Sequence, residues 1–64
     1  MTLQLTVPNM ACSACATTIM NAVKAIDPMA EVNADPQSKQ VNIDTQANET
    51  AVREAIAAAG YTVA

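Results

Sequence analysis

The residues of this chain that can do metal or redox chemistry are Cys12 and Cys15, in the stretch Asn9-Met10-Ala11-Cys12-Ser13-Ala14-Cys15. Two thiols three positions apart, one in a loop and one in the first turn of a helix, can turn toward one point in space and share a soft ion. At a helix start both also feel the positive end of the macrodipole, which lowers a thiol pKa and favours the thiolate that binds metal or attacks a disulfide. Spacing alone leaves the chemistry open, because Cys-x-x-Cys also serves as half of a zinc site and as a redox pair. Thiolate-only ligands select Cu(I), Zn(II) or an iron-sulfur cluster over hard ions. A closed zinc site takes four protein ligands and a cluster usually four cysteines. This chain has two cysteines and no histidine, and Ala11, Ser13 and Ala14 put no carboxylate beside them. Two thiolates from one chain suit an ion content with low coordination, Cu(I) or, as a foreign ion of the same type, Hg(II). A surface site with spare coordination also accepts a third, incoming thiolate, which is the chemistry of handing metal on.

The elements that must position this pair are short. Leu3, Leu5 and Val7 alternate with Thr2, Gln4 and Thr6, and Pro8 ends this first strand because it has no N–H to give a ladder. From Ser13, a candidate N-cap, Ala16, Ile19, Met20, Val23 and Ile26 recur at helical spacing until Asp27-Pro28. A weak alternation over residues 30–34, a turn at Asp35-Pro36-Gln37-Ser38, and Val41 with Ile43 predict an antiparallel hairpin. Asn48 caps a second helix with Val52, Ala55, Ile56 and Ala59 on one face; Gly60 suits the position just past its end, and Tyr61 to Val63 reads as a closing strand. The order strand, helix, strand, strand, helix, strand predicts an α+β, ferredoxin-like βαββαβ sandwich: a four-stranded antiparallel sheet with both helices on one face.

With 64 residues the chain reads as one domain, residues 1–64, with one thin core. Half the residues are hydrophobic (52%), but many are alanine and the one aromatic is Tyr61. Net charge is −3, and Lys24, Lys39 and Arg53 are scattered, which leaves no electrostatic footprint for nucleic acid. No run of eighteen apolar residues and no basic-then-apolar leader occurs, so the expectation is a cytoplasmic protein without direct membrane insertion. In a reducing cytosol two close cysteines point to metal binding or catalysis ahead of a structural disulfide. The six acidic side chains, Asp27, Glu31, Asp35, Asp44, Glu49 and Glu54, read as a solvated face.

Met10-x-Cys12-x-x-Cys15 after the first strand, the element order around it, and Gly60-Tyr61 before the last strand resemble the heavy-metal-associated domain of copper chaperones and copper-transporting P-type ATPases. The resemblance covers essentially the whole chain, and small stand-alone bacterial and cyanobacterial copper chaperones are the most similar members. It implies Cys12 and Cys15 as Cu(I) ligands, Met10 packed beneath the loop, and Tyr61 approaching the thiolates from a neighbouring loop. One departure is Asn9, where the family often has glycine; asparagine tolerates positive φ better than most residues. Family members carry tyrosine, lysine or histidine at the position of Tyr61, and tyrosine offers no third nitrogen ligand. Two plainer readings stand beside these: Met10 as a thioether ligand, and Tyr61 as an aromatic plug in the core. Ser13 and Ala14, small and between the cysteines, leave room for a partner's thiolates.

The function implied is a metallochaperone, not an enzyme, which passes Cu(I) by ligand exchange to the metal-binding domain of a copper-transporting P-type ATPase. The acidic excess favours less acidic or basic partner surfaces. The expected state is a monomer when apo, with a copper-bridged dimer as the loaded form. The competing functions are a thiol-disulfide oxidoreductase working through Cys12 and Cys15, against which stand the missing proline and aromatic context and the short length, and a mercury- or copper-buffering domain cut from a larger transporter.

Overall fold

The computed structural model describes residues 2–64. The first strand, β1 (Thr2–Thr6), turns Leu3 and Leu5 inward, and β3 (Gln40–Asp44) does the same with Val41 and Ile43. The hairpin partner β2 (Glu31–Asp35) presents Val32 and Ala34, which are half-buried against the same core. β3 lies in the centre, antiparallel to both neighbours, in the order β1-β3-β2. The register aligns Leu3, Ile43 and Val32 in one row and Leu5, Val41 and Ala34 in the next. Side chains alternate across a strand, so these two rows make one apolar face while Gln4, Asn42 and Asn33 face solvent on the other.

Two helices cover the apolar face. α1 (Ser13–Ile26) buries Ala16, Ile19 and Val23 and crosses between the parallel strands β1 and β2; α2 (Glu49–Ala58) buries Val52 and Ile56. With Val7, Met10 and Ala30 these side chains form one aliphatic core that contains no aromatic ring, and Tyr61 and Val63 pack on its margin. Apolar burial at this scale gives a modest net stability, so truncating one fully buried isoleucine such as Ile43 to alanine, at about 2–5 kcal/mol, would remove much of it. Asn48 accepts from Ala51 N–H at 2.7 Å as the expected cap of α2, with Glu49 in the first turn beside the positive helix end.

Three sequence-level expectations are revised. Residues 61–63 are not a strand: among the described residues the sheet has three strands, and the backbone bond to β1 comes from the residue that follows the segment, Ala64 N–H to Thr6 C=O (2.8 Å). The amides of Tyr61 and Thr62 go instead to the end of α2 (Ile56 C=O) and to the Asn9 side chain, so a ladder cannot start there. The N-cap of α1 is Cys12, extended at φ −152° and ψ 170°, and not Ser13, which is already inside the helix. Asn9 does not use positive φ; the non-glycine residue that does is Lys39, at φ 65° in the hairpin loop.

Asp27 fastens the far end of the sandwich. Its carboxylate accepts from the buried Thr45 hydroxyl (2.6 Å), Gln46 N–H (3.1 Å) and Met29 N–H (3.1 Å), which joins the end of α1 to the segment leading into α2. These bonds, that from Thr45 foremost, hold the Asp27 carboxyl below its ordinary value of 3.8. A carboxyl depressed in the folded state stabilises the fold above its unfolded pKa and loses that contribution as pH falls through the folded value. Asp27→Asn should therefore lower the urea midpoint at neutral pH, and the gap between variant and parent should close as pH drops below 3.8. Urea titrations followed by circular dichroism at several pH values check this.

Candidate metal centre

The loop that carries the cysteines is braced before it reaches them. Met10 N–H donates to Val7 C=O at 3.0 Å, closing a turn with Pro8 and Asn9 at its corners, and the Met10 side chain is fully buried. That burial matches core packing and leaves its sulfur facing away from solvent. Two residues later Cys12 is exposed at the N-cap, and Cys15, three positions on in the first turn, is half-buried. The two Sγ atoms stand 3.0 Å apart, and both thiols are free. No acidic residue occupies the first turn of α1, and no side chain caps it, so the positive helix end is left to the sulfurs.

Several groups stabilise negative charge on Cys15. The Cys12 thiol contributes most, followed by the Tyr61 hydroxyl and then the backbone amides of Ala11 and Cys12; together they lower Cys15 from 9.0 to about 7 against an opposing effect of burial. The Tyr61 hydroxyl is pushed up in turn, first by its hydrogen bond to Cys15, and it also meets Thr18. With metal–sulfur bonds of about 2.3 Å, an ion between two opposed sulfurs needs them up to roughly 4.6 Å apart. Loading therefore requires one sulfur to swing outward, and the exposed Cys12 is free to do so.

Tyr61 arrives by way of the end of α2. Gly60, at φ 98°, follows the last helical turn; Gly60 N–H donates to Ala57 C=O (3.0 Å) and Tyr61 N–H to Ile56 C=O (3.3 Å). This is the paired pattern of a Schellman cap, for which glycine is suited because it adopts positive φ without a Cβ penalty. Asn9 then holds the next residue, its Oδ1 accepting from Thr62 N–H at 3.0 Å. Neither the tether from Asn9 nor the reach of Lys39, whose Nζ donates to Met10 C=O at 2.7 Å, was signalled by local pattern, because the partners are 53 and 29 positions away. Among the described residues no group of three or more His, Cys, Asp or Glu side chains is placed to hold a metal ion. What the site offers is two sulfurs, with a phenol beside one of them. Among the described residues no helix is long and apolar enough to cross a membrane.

Residues 4–62 match the family model of the heavy-metal-associated domain, and the chain belongs to that family. Solved structures agree with it over nearly every residue. A trimeric form of the copper chaperone Atx1 from Synechocystis PCC6803, carrying a histidine-to-tyrosine change, is similar at 47% identity and a TM-score of 0.94, covering 97% of this chain and 98% of that one. The solution structure of a cyanobacterial copper metallochaperone is also 47% identical, with a TM-score of 0.83 and full coverage of both chains (100%). More distantly, a gold binding protein aligns at 27% identity and a TM-score of 0.90 over 94% of this chain and 92% of its own. A comparison with curated protein sequences returned no match.

Alkylation of the reduced protein by iodoacetamide across pH should show Cys15 reacting with a midpoint near 7, and Tyr61→Phe should move that midpoint upward by removing the phenolic donor. Peptide mapping by mass spectrometry assigns the modified cysteine.

Proposed function

We propose that this protein is a cytoplasmic metallochaperone that carries Cu(I) on Cys12 and Cys15 and delivers it to the metal-binding domain of a copper-transporting P-type ATPase. The observation that carries the reading is the pair of free sulfurs, 3.0 Å apart at an uncapped helix start, with no third protein ligand among the described residues. Two thiolates satisfy the low coordination that Cu(I) accepts and leave zinc short of its usual four ligands. Likeness to copper chaperones at 47% identity supports copper as cargo, and likeness to a gold binding protein supports a site for soft metal ions.

Transfer then proceeds by ligand exchange. A partner thiolate adds to the two-coordinate ion, forming a third Cu–S bond; the bond to exposed Cys12 breaks; a second partner thiolate adds and the bond to Cys15 breaks. Each departing thiolate takes up a proton as each incoming thiol releases one, so charge balances and no free ion appears. Cys12 suits the first departure because it is exposed, and Tyr61 with the loop amides stabilises Cys15 as the free thiolate that it becomes on leaving. Exposed Ala11, Ser13 and Ala14 leave the approach clear. The same spare coordination lets two copies share copper. The loaded form is then a copper-bridged dimer and the apo form a monomer; the trimeric form of a structural neighbour supports association of the loaded state, though in a different number of copies.

An anaerobic Cu(I) titration of the reduced protein against a chromophoric chelator should give tight binding near one copper per chain. Binding should be lost in Cys12→Ser/Cys15→Ser and should persist against excess Zn(II). Weak binding by fully reduced protein would sink the reading and turn attention to the reduction potential of the Cys12 and Cys15 pair. Replacing Ala14 with leucine should slow transfer to a partner domain without weakening Cu(I) binding, as stopped-flow exchange between the two proteins would show; an unchanged rate counts against an open approach at this turn.

A further inference from the structure

In sequence Lys39 is one of three scattered basic residues; in the fold it reaches the metal loop. Its backbone carbonyl accepts from Val7 N–H at 2.8 Å and its ammonium donates to Met10 C=O at 2.7 Å, so one residue holds both ends of the turn from Val7 to Met10. Both bonds originate from a lysine at φ 65°, a left-handed conformation that glycine or asparagine adopts more readily. The other two cations do not share this arrangement: Lys24 lies in the last turn of α1, away from the cysteines, and Arg53 pairs with Glu49.

The carbonyl that Lys39 grips belongs to the same peptide unit as the N–H of Ala11, the residue that leads into Cys12. A cation on the oxygen of a peptide polarises it and strengthens the bond its N–H makes, since hydrogen bonds in a chain reinforce one another. The ammonium therefore makes the peptide that leads into Cys12 more positive, without touching sulfur. When two thiolates hold Cu(I) the site carries one net negative charge, and a half-buried ammonium bonded to the backbone two residues before Cys12 offsets it better than a fully solvated one.

We propose that Lys39 is a positioning residue of the metal site: it clamps the Val7 to Met10 turn, and through the Met10–Ala11 peptide it supplies the counter-charge for the thiolates. The second half rests on the Cu(I) carrier reading; the first does not.

The test compares Lys39→Gly, Lys39→Met and Lys39→Arg with the parent. Glycine removes the ammonium at a position whose backbone it favours, methionine keeps the length without the charge, and arginine keeps the charge. In the reduced apo protein, amide exchange at Ala11 and Cys12 should be about tenfold faster in the glycine and methionine variants, the scale of losing a charge-assisted bond partly screened by water. Exchange at the central strand residue Ile43 should stay at the parent rate, which separates a loop effect from loss of folding. In chelator competition the same two variants should bind Cu(I) about tenfold more weakly, with arginine within about threefold of the parent. Parent-like loop exchange in both uncharged variants would overturn the clamp. Faster exchange with unchanged Cu(I) affinity would overturn the counter-charge. If the parent itself fails to bind Cu(I), the carrier reading falls, and the exchange data still decide whether Lys39 holds the loop.

Discussion

Met10 has no exposed surface, yet Cys12, two residues later, lies open to solvent, and this abrupt passage from core to surface is the constraint on which the site depends. The buried thioether fixes where the chain leaves the core. Pro8 and Asn9 turn it, and the extended backbone of Cys12 then has room for one residue before the helix starts. Each cysteine inherits its surroundings from that geometry: Cys12 at the cap position, where water and a partner have access, and Cys15 one turn in, where amides and a phenol surround its sulfur. Deleting the buried methionine would free the loop at its root, a larger disturbance than any change among the exposed residues that follow it.

The two cysteines differ in exposure although they are chemically the same residue. A symmetric pair would release metal with no preferred order. Here the Cys12 thiol, the Tyr61 hydroxyl and the amides of Ala11 and Cys12 favour the Cys15 thiolate. The phenol gets there through Gly60, whose positive φ ends α2 and aims the following residue back toward the start of α1. The end of one helix thereby tunes the beginning of the other.

Much of this was legible in the chain. The alternation of Leu3, Leu5 and Val7, the helical recurrence of Ile19 and Val23, the Asn48 cap and the glycine at position 60 each rest on local rules, and each holds. The cysteine pair announced itself by spacing, and its position at a helix start followed from the elements either side. Local rules misplaced the cap of α1 because serine outranks cysteine statistically, whereas burial of Met10 decides where the helix begins. They also made a strand of residues 61–63, where three alternating side chains look like β structure but the amides have other partners. Lys39 and Asn9 were opaque for a different reason: their bonds cross the whole fold, and nothing near them in sequence records the partner.

The strand register and helix directions also sort the charges. The row Thr2, Asp44 and Glu31 lies at the end of the sheet away from the cysteines, where Asp27 binds Thr45 and α2 starts with Glu49. Lys39 and the start of α1 lie at the other. Asp35 stands beside Lys39 in the hairpin, and Lys24 joins the acidic groups in the last turn of α1, so each end carries charge of both signs. The acidic excess behind the net charge of −3 is nonetheless greatest away from the cysteines. A partner that docks at the metal loop therefore meets the less charged end of the molecule, and the far end governs the long-range field it feels on approach.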